Sequence, residues 1–501
     1  MISKILSLAT KRRLNVINSF ASNGVEIQYK QLKELLSKAK NTQIGKRYDF
    51  SSITSIEEFK NRVPIKDYDD LMPDVIKLKQ GETNLLWPGE VKWFAKSSGT
   101  TSTRSKFIPI TKDSLNSCHY QGGRDSYFIY QKLNPNSKLF TGKTLVLGGS
   151  QKINEFSNKS VYGDLSAILI DNMPKWASFF RTPPKNVALM NEWESKLKKI
   201  TEITTKQNVV ALAGVPSWFL ILLKNILDYS GKDNLLEIWP NLELFVHGGV
   251  NFTPYREQYQ NLIPSDKMLY QETYNASEGF FAIQNDFADN GMLLMLDYGI
   301  FYEFMPLSEV DKENPKTLLL DEVELNKDYA LVITTNGGLW RYLVGDTVRF
   351  TSKSPYKIIV SGRTKHFINA FGEEIIINNA DKALKEACDA TGAIIKEFTA
   401  APIFMSSDTK GSHQWLIEFE KMPKSQSLFI EVLDKTLKEV NSDYDAKRYK
   451  DLTLEMPTLT IARDGLFMDW MKSRNKVGGQ NKVPRLSNNR DIIDDILKLN
   501  R

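Results

Sequence analysis

The spacing of hydrophobic and polar residues changes several times along the chain, and each change predicts a different element. Residues 25–42 carry apolar side chains at helical spacing with lysines between them, which predicts an amphipathic helix. The apolar runs at 143–149 and 209–214 end in glycine and predict buried strands. A charged helix is predicted over 186–200, and the short alternating or apolar runs between 292 and 334 predict a β-rich subdomain.

The character of the chain changes after a glycine-led turn near residue 362. A helix, two strands and a second, amphipathic helix are predicted within residues 381–440. This pattern describes a compact α+β module of roughly 140 residues, which is a typical domain size. The sequence therefore predicts an α/β protein with two domains, residues 1–362 and residues 363–501.

The composition is ordinary for a globular protein. The 501 residues are 41% hydrophobic and 25% charged, which allows two or three domains with a large core. The formal net charge of +6 is small for this length. It fits an anionic small substrate as well as weak nucleic-acid contact, so the charge alone does not separate these partners.

Cysteine and histidine usage argues against disulfide or zinc frameworks. Cys118 and Cys388 are far apart in the sequence, which favours a reducing compartment. The four histidines include no pair at metal-ligand spacing. The N-terminal apolar run is too short for a signal peptide, and no stretch approaches the roughly 20 apolar residues of a membrane span. We therefore expect a cytoplasmic protein, with a membrane-surface helix at the N-terminus as the alternative.

Residues 94–109, FAKSSGTTSTRSKFIP, have the chemistry of a phosphate-binding loop. Small hydroxyl residues surround Gly99, and Arg104 and Lys106 follow them. Exposed backbone N–H groups, hydroxyls and two cations together suit a polyphosphate. The apolar flanks predict a strand, a loop and a second strand. The stretch lacks the glycine-lysine-hydroxyl ending of a Walker A loop, and a flexible polar hairpin tip is the alternative interpretation.

Two strand exits carry further candidate groups. After a predicted strand at 242–246, Gly248 and Gly249 would let a flat ring approach the main chain without an intervening side chain. The segment YNASEG, residues 274–279, places Glu278 just past another strand. In a phosphate-rich site one carboxylate suits Mg²⁺, which prefers oxygen ligands and keeps several waters. A solvated turn acid is the alternative for Glu278.

Two later segments add an acidic and a basic group. The segment WRYLVGD, residues 340–346, ends in Asp346 after a glycine turn, and such a carboxylate suits the hydroxyls of a ribose. The segment GGQNKVPR, residues 478–485, places Lys482 on a glycine-rich loop that could carry it into or out of a site. Each segment alone is a weak signal.

Together and in this order, these segments resemble the GH3 family of acyl acid amido synthetases, within the adenylate-forming superfamily. The matching signatures are SSGTTSTRSKFIP, YNASEGFFA and RYLVGDTVRF, supported by FKNRVPIKDYDDLMPDVIKLKQGE, IFYEFMP and NKVPR. The resemblance covers essentially the whole chain. It implies a large N-terminal adenylate-forming domain, with helix-flanked β-sheets and a β-rich subdomain, and a smaller, mobile α+β C-terminal domain.

The resemblance implies roles for individual positions. Residues 97–101 would form the phosphate loop, Gly248 and Gly249 would lie against the adenine, and Asp346 would bind the ribose hydroxyls with help from Arg363. The expected set is Ser97, Ser98, Gly99, Thr100, Thr101, Lys106, Gly248, Gly249, Tyr274, Ser277, Glu278, Asp346 and Arg363 for ATP or AMP, with Lys482, Ser98 and Glu278 as catalytic residues and Glu278 as the metal ligand.

The chain departs from the family pattern at two places. Leu343 stands where many relatives have arginine, and residues 103–105 read Thr-Arg-Ser where plant relatives are richer in small residues. Neither change removes a residue that the resemblance assigns to chemistry.

The resemblance also implies a two-step reaction that needs ATP and Mg²⁺. A carboxylic acid is adenylated to an acyl-AMP with release of pyrophosphate, and an amine, expected to be an amino acid, then gives an amide. Arg104 or Lys106, and later Lys482, would help to neutralise the two anions that meet in the first step. The residues alone do not indicate the second step. The smaller domain would rotate between the two half-reactions.

The acyl pocket is expected between the loop and the second motif, and ordinary core packing is the alternative for every candidate. The acid and the amine cannot be read from these positions. The candidates are Tyr120, Leu212, Val215, Trp218 and Phe219.

Two other functions stay open at this point. A thioester-forming ligase that uses coenzyme A would share the adenylation step and differ in its product. A nucleotide-binding protein without turnover would bind ATP as a sensor or scaffold. We expect a monomer acting on small molecules, without nucleic-acid partners.

Overall fold

The computed structural model describes most of the chain and has a mixed α and β architecture. Within the part it describes, no helix is long and apolar enough to cross a membrane. The described ranges are residues 2–97, 106–149, 154–156, 160–250, 252–310, 312–364, 367–405, 410–451, 453–474 and 483–500.

Five helices open the chain. The fourth begins at Ser55, whose hydroxyl accepts a hydrogen bond from the Glu58 N–H at 3.1 Å. The fifth begins with a capping box, in which the Asp67 and Asp70 carboxylates each accept from the other residue's N–H. The helices are α1 (Ile2–Asn18), α2 (Phe20–Ala39), α3 (Gln43–Arg47), α4 (Ile56–Arg62) and α5 (Tyr68–Lys79).

The stretch predicted as strand, loop and strand forms two antiparallel strands of a small sheet. Ser97 lies opposite Lys106 at the open end of this pair, so the chain leaves one strand and enters the other at the same place. Residues 98–105 lie outside the described residues. The sheet has the order β2-β1-β5-β4, with β1 (Trp93–Ser97), β2 (Lys106–Ile110), β4 (Asn154–Glu155) and β5 (Val161–Gly163).

An eleven-stranded sheet forms the centre of the fold. Its parallel part consists of β3 (Lys143–Val146), β6 (Arg181–Thr182), β7 (Val209–Gly214), β8 (Leu244–His247) and β9 (Leu269–Ala276). Its antiparallel part consists of β10 (Gly279–Gln284), β11 (Met292–Leu294), β12 (Ile300–Pro306), β13 (Asp328–Thr335), β14 (Tyr342–Lys353) and β15 (Tyr356–Arg363). Parallel strands end at one edge, so the segments that follow β7, β8 and β9 come together there.

The predicted helix over 186–200 is wrong as a single element, because two helices occupy this region. The first ends at Ala188, and the Glu192 carboxylate then starts a new helix by accepting from the N–H groups of Glu194 and Ser195. The helices between the sheets are α6 (Lys112–Ser114), α7 (Tyr120–Leu133), α8 (Leu165–Asp171), α9 (Lys175–Phe179), α10 (Lys185–Ala188), α11 (Trp193–Thr204), α12 (Pro216–Ser230) and α13 (Arg256–Leu262).

The C-terminal part combines a three-stranded sheet with helices, as its hydrophobic pattern predicts. A short hairpin formed by β16 (Phe367–Ile368) and β17 (Ile375–Ile376) precedes it. The sheet has the order β18-β19-β20, with β18 (Ile394–Ile403), β19 (Ser412–Lys421) and β20 (Thr458–Ala462). The helices are α14 (Ile377–Thr391), α15 (Gln426–Val440), α16 (Ser442–Arg448), α17 (Leu466–Ser473) and α18 (Asp491–Leu497).

The C-terminal part packs directly on the helices beside the parallel strands. The Tyr255 hydroxyl donates to the Ala370 carbonyl at 2.6 Å, and the Ser217 hydroxyl donates to the Phe371 carbonyl at 3.2 Å. Phe371 and Phe219 belong to one continuous hydrophobic cluster. The predicted boundary after residue 362 therefore lies at the end of β15, beside an extensive apolar contact.

A buried ion pair joins the N-terminal helices to the antiparallel strands. The Arg341 guanidinium donates to both carboxylate oxygens of Glu303, at 2.9 and 2.8 Å. It also donates to the carbonyls of Lys60 and Val63 at 2.7 and 2.8 Å. The planar guanidinium of Arg341 therefore binds main-chain carbonyls at the end of α4 and the buried Glu303 carboxylate on β12 at the same time.

Candidate active site

Side chains from two of the predicted motifs meet at the edge of the large sheet. Asp346 on β14 is the register partner of Arg363 at the end of β15. The Arg363 Nε donates to Asp346 Oδ1 at 2.7 Å, and the Tyr274 hydroxyl on β9 donates to Asp346 Oδ2 at 2.6 Å. Gly345 has a φ of +97°, which only glycine adopts readily. The local backbone thus presents Asp346 beside the end of β9.

Asp346 keeps hydrogen-bonding capacity for a ligand. Each of its carboxylate oxygens accepts one bond from the protein, and an ionised carboxylate offers about four acceptor positions in all. The side chain is buried, with 8% of the residue exposed. A pair of hydroxyl donors from a ribose therefore fits the remaining acceptor positions.

Arg363 fits an anion next to this carboxylate. Its Nη2 donates to the Glu374 carboxylate at 3.2 Å, whereas its Nη1 is buried and has no hydrogen-bond partner among the described residues. Burial lowers the pKa of Arg363, but the carboxylates of Glu374, Asp346 and Glu278 outweigh that effect and hold the group protonated. A buried N–H of a cation without an acceptor is expensive unless a ligand oxygen fills the position.

Glu278 occupies the tight turn between β9 and β10 and is half-buried. Burial raises the pKa of Glu278 to about 7, and the nearby Lys106 ammonium opposes this effect. Lys106 is itself buried, with 4% exposure, and burial lowers its pKa while Glu278 raises it. The carboxylate therefore lies in a poorly solvated space near Lys106, Arg363 and Asp346, where a divalent cation would favour the ionised form.

A narrow cleft opens beside these charged groups. It lies between the start of α5, the start of β2 and the hairpin that follows β15. The residues that line it are Asp67, Tyr68, Lys106, Leu343, Val344, Gly345, Arg363, Thr364, Phe367 and Ile376.

The packing of the main chain around β8 explains the glycine at position 248, independently of the predicted contact with a flat ring. A Cβ at Gly248 would lie 2.3 Å from the Thr273 carbonyl oxygen, so the main chain approaches β9 more closely than any other residue allows. Gly249 has a φ of +82°. Its carbonyl accepts a long hydrogen bond from the Asn369 side chain, at 3.5 Å. This turn therefore lies between β9 and the C-terminal part.

The predicted acyl-pocket residues fall into two groups. Leu212 and Phe219 are completely buried in the hydrophobic cluster, where Phe219 packs 5.2 Å from the Phe245 ring. Tyr120, Val215 and Trp218 keep part of their surface accessible. The Tyr120 hydroxyl donates to the Leu169 carbonyl at 2.9 Å. The prediction of an acyl pocket now rests mainly on these three residues.

The remaining predicted positions are less fully described. Ser97 ends β1, and Ser277 is half-buried in the turn beside Glu278. Ser98, Gly99, Thr100, Thr101, Arg104 and Lys482 lie outside the described residues.

No pattern in the sequence points to the groups that pack behind the Glu278 turn. A π-helix, Leu115–His119, precedes α7. The Phe280 N–H donates to the Cys118 sulfur at 3.1 Å, and His119 Nδ1 lies 3.1 Å from the Asn275 side-chain oxygen. Burial lowers the pKa of His119 to about 4, so the imidazole is neutral near pH 7. Positions this far apart in the chain can be matched only once the fold is known.

Comparison with solved structures defines the class of fold. An acyl acid amido synthetase, AtGH3.15, in complex with 2,4-DB matches with a TM-score of 0.62 at 18% identity, over 98% of this chain and 96% of that one. A 2-hydroxyisobutyryl-CoA ligase, in complex with 2-HIB-AMP and CoA, matches with a TM-score of 0.52 at 12% identity, over 97% and 92%. The fold is that of the adenylate-forming enzymes, and the predicted α/β class is confirmed.

Family comparison identifies the chain itself. The GH3 N-terminal domain matches residues 13–268, the central domain 293–363 and the C-terminal domain 378–491. The chain belongs to the GH3 family, as the motifs predict. The indole-3-acetic acid-amido synthetase GH3.4 of Arabidopsis thaliana is 24% identical, over 97% of this chain and 93% of the relative. The 4-substituted benzoates-glutamate ligase GH3.12 of the same species is 23% identical, over 94% of each.

We expect replacement of Glu278 by glutamine to stabilise the protein above about pH 7. The folded state holds the Glu278 proton more tightly than the unfolded chain does, so ionisation of the wild-type carboxylate opposes folding. This destabilisation grows from the ordinary pKa of glutamate up to about 7 and is complete above it. Urea unfolding at about pH 8 should show a gain in the free energy of unfolding that disappears near about pH 4.

The exposed Glu257 provides the control for this experiment. Replacement of Glu257 by glutamine should change the free energy of unfolding by the same small amount at both pH values. A gain for Glu278→Gln that did not depend on pH would contradict the assigned cause, because an uncharged effect such as packing would then explain it.

Proposed function

We propose that the protein adenylates a carboxylic acid with ATP and then joins the acyl group to an amino acid through an amide bond. The observation that carries the proposal is the cluster of Tyr274, Asp346 and Arg363 beside Glu278, built from separate motifs in a member of the GH3 family. The amido synthetase and ligase names of the relatives support the same reaction class.

The first step requires two anions to meet. An oxygen of the acid attacks the α-phosphorus of ATP, the bond from that phosphorus to the pyrophosphate oxygen breaks, and pyrophosphate leaves. Asp346 would accept from the ribose hydroxyls, while Arg363 and Lys106 would supply positive charge beside the phosphates. Residues 97–101 would add backbone and hydroxyl donors.

Glu278 would hold a magnesium ion at the edge of this cluster. The ion would neutralise phosphate charge when bound. The fit rests on the oxygen ligand, on its burial, which raises its pKa, and on the two neighbouring cations, Lys106 and Arg363, which favour the ionised carboxylate. Among the described residues no group of three or more acidic, histidine or cysteine side chains is placed to hold a metal ion by itself, so substrate oxygens and water would have to complete the coordination of Mg²⁺.

The second step forms the amide. The amino group of the acceptor first loses its ammonium proton to solvent, and the neutral nitrogen then attacks the acyl carbonyl carbon. The bond from that carbon to the AMP oxygen breaks, AMP leaves, and the nitrogen releases a second proton to solvent. We further propose that residues 363–501 form a separate domain that rotates between the two steps. We also propose that the protein works as a monomer in the cytoplasm, which agrees with its two free cysteines.

The direct test mixes the protein with ATP, Mg²⁺ and a panel of carboxylic acids. Pyrophosphate release that depends on one of the acids supports adenylation, and mass spectrometry of the product with added amino acids or coenzyme A separates an amide from a thioester. ATP binding without pyrophosphate release across a broad panel would contradict the proposal and favour a sensor or scaffold.

We expect replacement of Lys482 by alanine to slow adenylation by about 10- to 100-fold and to leave ATP binding largely unchanged. One charge-assisted contact contributes roughly 1.5–3 kcal/mol, and this lysine is proposed to make it only during the first step. Pyrophosphate release gives the rate, and equilibrium binding gives the affinity. The exposed Lys472 supplies the control replacement. An unchanged adenylation rate in Lys482→Ala would remove the proposed role.

A further inference from the structure

One lysine of the C-terminal part is buried without a carboxylate partner. Lys447 on α16 has 8% of its surface exposed. Its ammonium lies 3.8 Å from the centre of the Trp218 ring on α12. Among the described residues it forms no ion pair and its ammonium makes no hydrogen bond. Within the part of the chain that the structure describes, the ammonium therefore has an aromatic ring in direct contact but no carboxylate within ion-pair distance, and a buried charge in this position is only partly compensated.

The surroundings hold this lysine in one place. Gly372 has a φ of +90°, and a Cβ there would lie 3.3 Å from the Lys447 ammonium, so a larger residue would crowd it. Asn441 caps α16 and donates to the carbonyls of Glu373 and Glu374 at 2.9 and 3.0 Å. The helix that carries Lys447 is therefore tied to the loop that follows β16.

Lys447 lies between the two halves of the proposed active site. Trp218, which its ammonium contacts, is one of the accessible acyl-pocket candidates. On the other side, Glu374 accepts from Arg363, and Arg363 binds Asp346. The acceptor amine must attack between an acyl pocket and a nucleotide cluster, and this is the region where Lys447 is held.

Four carboxylates are close enough to act on the Lys447 ammonium. Burial lowers the pKa of Lys447 to about 8, and the carboxylates of Asp443, Asp164, Glu373 and Glu374 oppose that effect. Such acidic surroundings disfavour a polyanion such as pyrophosphate. They tolerate a zwitterion, whose own ammonium balances the charge that its carboxylate brings.

We propose that Lys447 binds the α-carboxylate of the acceptor amino acid and orients its amine toward the acyl carbonyl. The proposal rests on the proposed function and names the group that would select an amino acid over other amines. The phosphates already have Lys106 and Arg363, and the carboxylate of the acid must lie at the α-phosphorus. Among the described residues, Lys447 is a buried cation beside an acyl-pocket candidate that has no other assigned ligand, and the α-carboxylate of the acceptor is an anion that it can bind.

The test compares two nucleophiles in the same acid-activation assay. Hydroxylamine captures an activated acyl group but has no carboxylate, whereas the preferred amino acid from a panel of twenty has one. In Lys447→Met the KM for the amino acid should rise about tenfold or more, because a charge-assisted contact is lost. Hydroxamate formation should stay within about twofold of wild type, since the adenylation groups are unchanged.

Two controls make the result specific. The exposed Lys450, on the same segment and paired with Glu194, should tolerate methionine without a change in either assay. Lys447→Arg keeps the charge and should recover part of the amino-acid affinity. The α-carboxamide of the same amino acid should be a poor acceptor for the wild type, and Lys447→Met should no longer distinguish it from the acid.

Several outcomes would overturn the assignment. An unchanged KM for the amino acid in Lys447→Met would do so. An equal loss of hydroxamate formation would also overturn it, because Lys447 would then act by packing between the N-terminal and C-terminal parts of the protein. If Lys447→Met fails to fold, wild-type protein that uses the α-carboxamide as well as the amino acid would also overturn it. Wild-type protein that forms no hydroxamate with any acid would instead contradict the proposed function itself.

Discussion

Replacement of Asp346 by alanine is expected to reduce acid-dependent pyrophosphate release by about 10²- to 10⁴-fold. Two hydrogen bonds from ribose hydroxyls to this carboxylate would be lost, and each charge-assisted bond contributes roughly 1.5–3 kcal/mol. The change also removes the acceptor of the Tyr274 hydroxyl and of the Arg363 Nε. Both donors are buried, so the replacement disturbs the site as well as the ligand.

Steady-state rates and ATP affinity should be measured together on the same preparations. Asp346→Asn keeps the shape of the side chain and should still lose most activity, because the buried Arg363 charge loses one of its two carboxylate partners. The matched control is Asp328→Ala, which removes a half-exposed ion pair with Arg349 between β13 and the neighbouring strand β14. Weaker ATP binding with an unaltered reaction rate in Asp346→Ala would contradict the catalytic view and favour a sensor.

The second large effect is on stability. We expect Arg341→Met to lower the free energy of unfolding by about 3–5 kcal/mol, since breaking a buried pair leaves an uncompensated charge. Glu303, which is fully buried, would lose its guanidinium, and the carbonyls of Lys60 and Val63 would lose their donor. Urea unfolding followed by circular dichroism measures the loss.

Arg349→Met serves as the comparison for this change. Its ion pair with Asp328 is 40% and 30% exposed at the two side chains, and such pairs contribute at most about 1 kcal/mol. Adding Glu303→Leu to Arg341→Met should restore part of the lost stability, because the orphaned carboxylate is then removed. Equal effects of Arg341→Met and Arg349→Met would contradict the role of burial.

Some local patterns in the sequence predict the elements that form, whereas a side-chain cap inside an apparently continuous helix is not visible in them. Apolar flanks around a polar run predicted β1 and β2, because strand formation there depends on neighbouring residues. The helix over 186–200 was predicted as continuous, since nothing in its periodicity reports that the Glu192 carboxylate caps a new helix.

The same limit applies to the candidate site. The sequence points to Asp346 because it follows a glycine turn and to Glu278 because it comes just past a predicted strand. It does not point to Glu374 or Lys447, because the partner of Glu374 and the ring beside Lys447 lie on elements that only the fold brings close. Arg341 belongs to a predicted motif, yet its contacts are with Glu303 and main-chain carbonyls. A motif therefore marks positions that matter without saying whether they serve chemistry or stability.

The shared guanidinium of Arg363 has a thermodynamic consequence. Its bonds reach Glu374 within residues 363–501 and Asp346 across the predicted domain boundary. A ligand that binds Arg363 or Asp346 at the expense of the bond between them must weaken the attachment of the C-terminal part by the same free energy with which that attachment weakens ligand binding. Ligand binding at the site and release of the C-terminal part are therefore coupled, so that each one favours the other.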